Sequence, residues 1–138
     1  MQRFMAIKFH PGQGAVVRCD YTKGGFQPPE MVKIRPAVVL CQRPRFRKGL
    51  LTIVPLSTSA PAPQMNYHCK VHVGGLPGFP MPECWVKADM IATVSFERVD
   101  LFRLSRDRQT GRRTYLEKFL STHDFEKVQA CVRAALNL

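Results

Sequence analysis

The chain has 138 residues, of which 45% are hydrophobic and 22% are charged. This length predicts a single domain over residues 1–138 that folds without help from metals or disulfides. Twenty-one Lys and Arg against ten Asp and Glu leave a formal charge of +11. Such a charge attracts polyanions, so nucleic acid is the first partner class to consider. An anionic membrane, an acidic protein and a merely solubilising surface charge are the alternatives.

The cysteines give no sign of a metal or redox site. They are odd in number and widely spaced, at Cys19, Cys41, Cys69, Cys84 and Cys131. Because no CxxC pair occurs, we expect reduced cysteines in a cytoplasmic protein. No stretch approaches the roughly 18 apolar residues that span a bilayer. A basic amphipathic helix that could lie on a membrane is also lacking, so no membrane partner is expected.

Short apolar and β-branched runs separated by turn residues predict a chain of strands. They cover residues 15–20, 37–41, 51–56, 67–73, 85–94 and 98–103, and the fifth is expected to kink near Asp89. The segment 21–34 is a long, turn-rich loop, a feature that is often functional. Residues 106–113 form a strongly basic hairpin or loop.

One helix is predicted, at the C-terminal end. Ser121 is a good N-cap residue, and Asp124 adds a carboxylate in the first turn. One apolar stripe follows at helical spacing, at Phe125, Val128, Cys131, Val132, Ala135 and Leu136. The fold class is therefore mainly β with a C-terminal α-helix, a small, strongly bent sheet or barrel closed by that helix.

Three segments carry a resemblance to a known family. Residues 30–40 give an acidic residue, a short gap, Arg-Pro and an apolar strand. Residues 53–59 give a strand that ends in Pro-Leu-Ser-Thr-Ser, and residues 85–94 give a strand that contains Asp89. In this order and at these separations, the segments resemble the PemK/MazF toxins over nearly the whole chain.

The resemblance implies both a fold and an activity. The fold would be an SH3-like small β-barrel with a terminal helix, and the active form a homodimer. The activity would be that of a sequence-selective endoribonuclease that needs neither metal nor other cofactor. The implied partners are single-stranded RNA and an acidic antitoxin, with DNA binding by the toxin–antitoxin complex.

Cleavage without metal uses the ribose 2′-hydroxyl as nucleophile and needs a base, a cation and an acid. The resemblance places Arg35 as the cation, whose planar fork can hold two phosphate oxygens. It places Ser57 and Thr58 as the catalytic hydroxyl pair, and either hydroxyl can do the work because Ser57 stands where threonine is commoner. Asp89 matches the general base, and Lys87 falls where some members carry an arginine proposed as general acid.

Each of these residues also has a plain structural reading. Arg35 can pair with Glu30, which can equally orient it for catalysis. The two hydroxyls can belong to an ordinary turn, and Asp89 with Lys87 can form a pair on one strand face.

RNA must also be bound. Four cations surround one aromatic ring in the segment Arg43, Arg45, Phe46, Arg47 and Lys48, a pattern suited to phosphate contacts beside a stacked base. Glu30 and Lys33 are also expected to contact the substrate. Arg106, Arg108, Arg112 and Arg113 form a second basic cluster, and each cluster can also be a solvated turn. Trp85 and Phe26 either stack on bases or pack in the core.

The histidines do not suggest a metal or catalytic pair. His68 and His72 are four residues apart, which on a strand is about 13 Å and too far for shared ligation. Two rival functions use the same fold: a non-catalytic nucleic-acid-binding protein and a CcdB-like gyrase inhibitor. The second is disfavoured because the critical contacts of CcdB-type toxins lie at a helix end that contains Trp, which this chain lacks.

Overall fold

The computed structural model describes residues 5–44 and 47–138. This part of the chain forms nine β-strands and one α-helix, and the helix is not long and apolar enough to cross a membrane. The elements are β1 (Val16–Asp20), β2 (Ile34–Val39), β3 (Leu50–Ser57), β4 (His68–His72), β5 (Glu83–Lys87), β6 (Ala92–Ser95), β7 (Val99–Asp100), β8 (Phe102–Arg106), β9 (Arg113–Leu116) and α1 (Thr122–Leu136). Two 3₁₀ turns, Ala88–Met90 and Phe96–Arg98, lie beside β6.

Every predicted strand region contains a strand, with shifts at the ends. The predicted 37–41 strand starts earlier, at Ile34, and ends at Val39. The region 98–103 contains β7 and the beginning of β8. The basic segment is a hairpin, in which β8 pairs antiparallel with β9. We did not predict β9, because its sequence Arg-Thr-Tyr-Leu lacks the alternation of a half-buried strand.

The predicted kink near Asp89 is confirmed and has a clear geometric form. Leu56 of β3 pairs with Val86, and Ile53 pairs with Ala92. Between these two pairs, β3 advances by three residues, whereas the facing segment advances by six. The facing segment therefore contains three extra residues that do not pair with β3. They form the 3₁₀ turn Ala88–Met90, which divides the predicted strand into β5 and β6.

The main sheet is an open path. Its strands follow the order β4-β5-β3-β2-β1-β7, and β6 pairs with β3 beside β5. Among the described residues, β4, β6 and β7 each pair with one strand only, because β8 and β9 pair with each other as a separate sheet. The mainly β class with a terminal helix is confirmed, and the strand pairing of the described residues shows open sheets rather than a closed barrel.

Both faces of the central strands are covered. On one face, Val38, Val54 and Leu56 pack with the buried face of α1. On the other face, Ala37, Val39 and Ile53 pack into a second core with residues of β1, β6 and β7. This burial explains the continuous apolar runs of β2 and β3, since a strand covered on both sides has no polar alternation.

The helix begins and ends as its sequence indicates. The Ser121 side chain accepts the Asp124 N–H at 3.1 Å, which confirms the N-cap. The Asp124 carboxylate accepts the His72 N–H of β4 at 2.8 Å, and Lys127 Nζ donates to the Lys70 carbonyl at 2.6 Å. Most of the predicted stripe packs against the core, but Leu136 is 48% exposed because it lies in the last turn, beyond the sheet contacts.

The segment before β1 is attached to β7 through buried polar groups. The Met5 N–H donates to Asp100 Oδ2 at 3.1 Å, and the Ile7 N–H donates to the Val99 carbonyl at 2.9 Å. Arg103 Nη2 lies 3.5 Å from the same Asp100 oxygen, and both side chains are almost fully buried. The Asp100 carboxylate therefore links β7 both to the segment before β1 and to Arg103 of β8.

Candidate active site

Arg35 and Ser57 come together at one end of the β2–β3 ladder. The two strands pair antiparallel, and Ala37 lies opposite Pro55. Toward one end of this ladder, Arg35 lies two residues from Ala37 in β2, and Ser57 lies two residues from Pro55 in β3. Because side chains alternate along a strand, both lie on the face that carries Ala37 and Pro55. The sequence-predicted cation and hydroxyl thus occupy adjacent strands on one face of the sheet.

Arg35 has no carboxylate to neutralise it. It lies opposite the fully buried Cys19 of β1 and is partly buried itself, and its Nε atom is buried without a hydrogen-bond partner. It makes no ion pair with Glu30 or with any other carboxylate of residues 5–44 and 47–138. The Arg35–Glu30 pair considered from the sequence is therefore wrong. A partly desolvated guanidinium without a counterion is well suited to hold a phosphate.

The two candidate hydroxyls differ in exposure. Ser57 is 7% exposed, and its Oγ accepts the Ser59 N–H at 3.1 Å, which leaves its own O–H available to donate. Thr58 follows the end of β3 and is exposed. Thr58 also lines a shallow cleft of about 280 Å³ that continues over Trp85. Both hydroxyls can therefore reach a ligand from the same end of β3.

Trp85 and Lys87 extend the same face into β5. Ser57 lies directly opposite Trp85, and Lys87 follows two residues later on that face. The alternate residues Cys84 and Val86 are buried in the core under α1. Trp85 is thus a partly exposed side chain on the outer face rather than a core residue, and Lys87 lies near the two hydroxyls.

Asp89 lies in a second hollow. This hollow has a volume of about 410 Å³ and is lined by Glu30 and Asp89 together with Tyr21 and Phe26. Burial raises the pKa of Tyr21, so its hydroxyl stays neutral and does not serve as a base. Along the chain, Lys87 stands between Trp85, which lines the first cleft, and Asp89, which lines the second hollow.

The predicted basic segment lies elsewhere. Arg43, Arg47 and Lys48 line a pocket of about 340 Å³, while Arg45 and Phe46 lie outside the described residues. The pocket borders the first residue of β3, Leu50, whereas Ser57 is the last residue of that strand. Seven residues of strand separate the two, which is a distance of about 23 Å. Within one chain, these cations are not neighbours of the predicted catalytic hydroxyls.

The lining of that basic pocket also includes Lys8, His10 and Phe96. Burial and the nearby Arg43 lower the pKa of His10, which favours its neutral form at neutral pH. Sequence reasoning missed these residues because only the fold brings the N-terminal segment and the end of β6 to this place. Charge and aromatic composition alone could not have singled them out.

The remaining predicted contacts are exposed. Lys33 is exposed just before β2, where its carbonyl accepts the Tyr21 N–H at 3.2 Å. Arg106, Arg108 and Arg112 are exposed on the β8–β9 hairpin. Among the described residues, no three His, Cys, Asp or Glu side chains come together as metal ligands.

Comparison with models of protein families decides the membership of the chain. Residues 12–136 match the model described as PemK-like, MazF-like toxin of type II toxin–antitoxin system. The chain belongs to this family. Arg35, Ser57, Thr58 and Asp89 all fall within the matched region. A comparison with proteins of curated function found no significant match.

Solved structures show that PemK/MazF-type folds resemble this one. An endoribonuclease from a mycobacterial species is 21% identical, covers 93% of this chain and 92% of its own, and gives a TM-score of 0.57. MazF from Deinococcus radiodurans is 17% identical, with coverages of 94% and 99% and a TM-score of 0.60. A mycobacterial endoribonuclease in complex with its cognate antitoxin is 18% identical, with coverages of 93% and 94% and a TM-score of 0.54. At these identities the likeness shows a shared fold.

Proposed function

We propose that the protein is a metal-independent, sequence-selective endoribonuclease toxin that cuts single-stranded RNA. The observation that carries this proposal is the unneutralised Arg35 beside Ser57 on one face of the sheet, in a chain of the PemK/MazF family. The structural neighbours described as endoribonucleases support the same activity.

The reaction is an internal transfer at phosphorus. The ribose 2′-oxygen forms a bond to the adjacent phosphorus, the bond to the 5′-oxygen breaks, and a 2′,3′-cyclic phosphate and a 5′-hydroxyl result. Arg35 stabilises the charge that develops on the phosphoryl oxygens, since a fixed cation near a dry surface interacts strongly with it. Ser57 or Thr58 donates a hydrogen bond to a phosphate oxygen or to the 2′-oxygen.

Proton transfer is assigned to the last residue of β5 and to the turn that follows it. Asp89 accepts the proton of the 2′-hydroxyl, and Lys87 donates a proton to the leaving 5′-oxygen or holds the phosphate electrostatically. These roles require the scissile phosphate to sit beside Lys87, between the Thr58–Trp85 cleft and the Glu30–Asp89 hollow. Nucleotides on either side of the phosphate would then enter the two hollows, which gives sequence selectivity.

The partners follow from charge and surface. A chain with a formal charge of +11 favours an acidic antitoxin segment that orders on binding, and one structural neighbour is described as a complex with its cognate antitoxin. Arg43, Arg47 and Lys48 would hold RNA phosphates remote from the cut. We place the toxin in the cytoplasm, where its RNA substrate is found, and as a homodimer.

The first test compares wild type with Arg35→Ala on a mixed-sequence single-stranded RNA in excess EDTA. Wild type should cut at a short recurring sequence and leave 5′-hydroxyl ends. Loss of the cation should slow cleavage about 100- to 1000-fold, as when one preorganised donor to a transition-state oxyanion is removed. Arg35→Lys should recover only part of this loss, because lysine keeps the charge without the fork.

Arg133→Ala is a matched control. Arg133 is exposed in the last turn of α1, so its removal lowers the charge equally and should leave the rate unchanged. Thermal unfolding of each variant checks the fold. An Arg35→Ala variant that cuts as fast as wild type would exclude the catalytic assignment, and a wild type that binds RNA without cutting it would indicate a binding module.

A further inference from the structure

The chain's only tryptophan occupies an unusual position beside the candidate catalytic hydroxyls. Trp85 lies directly opposite Ser57 in the β3–β5 ladder, a relation that brings Cβ atoms to about 5 Å. Its neighbours Cys84 and Val86 are buried in the core, whereas the indole is on the opposite, partly exposed face. Among the described residues, Trp85 belongs to neither of the two core clusters.

A basic strand edge borders the indole. Lys70 of β4 lies opposite Trp85, and its Nζ is 5.2 Å from the ring centroid. The backbone of Lys70 is fixed, because its carbonyl accepts from Lys127 of α1, but its side chain is exposed. An incoming base can therefore displace the ammonium from the ring, and the ammonium can then contact the phosphate of the same nucleotide.

The cleft over the ring has the chemistry of a base-binding site. Its wall contains Thr58 from the end of β3, the apolar side chains of Met81 and Pro82, and the carboxylate of Glu83. An aromatic floor binds the π-face of any base, and a carboxylate can accept a hydrogen bond from a base amino group. Its volume of about 280 Å³ suits a single ring system rather than a folded partner.

We propose that this cleft binds one nucleobase of the single-stranded RNA, stacked on Trp85, at the nucleotide next to the scissile phosphate. The inference rests on the proposed function, because the hydroxyls beside the ring define which phosphate is cut. Trp85 is then a positioning and specificity residue, while Arg35 and the hydroxyls act on the phosphate.

Because Trp85 is the only tryptophan in the chain, the tryptophan fluorescence reports on this cleft. A short mixed-sequence 2′-O-methyl RNA cannot be cut, since its 2′-oxygens are blocked, so its binding does not depend on catalysis. Titrating it into wild type should quench the tryptophan fluorescence in a saturable way. Heparin, a polyanion without bases, should compete for the protein but leave the fluorescence nearly unchanged.

Binding is followed in parallel by the anisotropy of a fluorescein-labelled copy of the same oligonucleotide. Trp85→Ala should weaken binding about 10- to 100-fold, the effect of losing one stacked base, and Trp85→Phe should stay within a few-fold of wild type. Binding without quenching, equal quenching by heparin, or no binding of the oligonucleotide would each overturn the proposal. Failure of the nuclease proposal would be seen separately, as quenching by an unmodified RNA that has free 2′-hydroxyls and yet stays uncut.

Discussion

At the scale of single residues, Arg103 and Arg35 are both shielded from solvent, but only Arg103 has a carboxylate partner among the described residues. Asp100 and Arg103 are almost fully buried and face each other at 3.5 Å, so each neutralises the other. Arg35 is partly buried and has no carboxylate partner among the described residues. A shielded charge without a partner is costly unless a ligand supplies the counter-charge. The paired charges therefore stabilise the fold, whereas the unpaired Arg35 fits the phosphate-binding role proposed for it.

The structural role of Asp100 can be measured directly. Asp100→Ala should lower the free energy of unfolding by about 3–5 kcal/mol, because Arg103 stays buried without a counterion and the Met5 N–H loses its acceptor. Urea denaturation measures the change. The double variant Asp100→Leu, Arg103→Met should lose less than Asp100→Ala, since no charge is left unpaired. A single variant as stable as wild type would contradict the buried-pair assignment.

At the scale of elements, the 3₁₀ turn between β5 and β6 positions the candidate site. Without it, alternate residues of one continuous strand would place Lys87 and Asp89 on the same face. The three extra residues turn Asp89 out of the ladder and into the hollow that contains Glu30. The turn thus places the candidate base in a different hollow from the one that Thr58 lines.

Helix α1 supports this arrangement from the other side of the sheet. Its first turn is fixed by Ser121, and its contacts to His72 and Lys70 hold the strand that carries Lys70. Ser121→Ala should cost about 1 kcal/mol of stability, because the Asp124 N–H loses its cap. Ser121→Asp, which keeps an acceptor at the same place, should match wild type in thermal unfolding. Equal losses in both variants would show that the cap is not the cause.

At the scale of the whole molecule, one surface exposes apolar side chains. Phe9 is 56% exposed and lies beside Phe119, which is 52% exposed, while Met5 and Tyr115 flank Phe9. An apolar surface of this kind on a small basic protein indicates a protein contact. We expect the proposed homodimer to form through this surface, because Phe9 and Phe119 together expose an apolar area that a second copy of the chain could cover.

A charge introduced into this apolar surface should change the mass of the protein in solution. Phe9→Asp should convert a species of twice the chain mass into a monomer, because a carboxylate would be buried without a partner at the contact. Size-exclusion chromatography with light scattering measures the result. Leu136→Asp is the matched control: Leu136 is 48% exposed at the far end of α1, so its substitution should leave the mass unchanged. A wild type that is already monomeric would exclude the dimer.

The sequence by itself determined the mainly β class, the position of the helix with its Ser121 cap, and the kink near Asp89. Each of these follows from local signals, such as short apolar runs, capping chemistry and turn residues, which act over a few neighbouring positions. The same local patterns put Arg35 just before one strand and Ser57 just after another, whereas their catalytic roles are what the family resemblance implies.

Only the tertiary structure decided which of these residues meet. Strand pairing placed Ser57 opposite Trp85, turned the indole outward, and separated the basic pocket from the hydroxyls by the length of β3. Among the described residues, it also left Arg35 without an ion pair to Glu30 and the strands in open sheets. These are properties of register and of contacts between residues far apart in the chain, and a one-residue change of register would move every side chain to the opposite face.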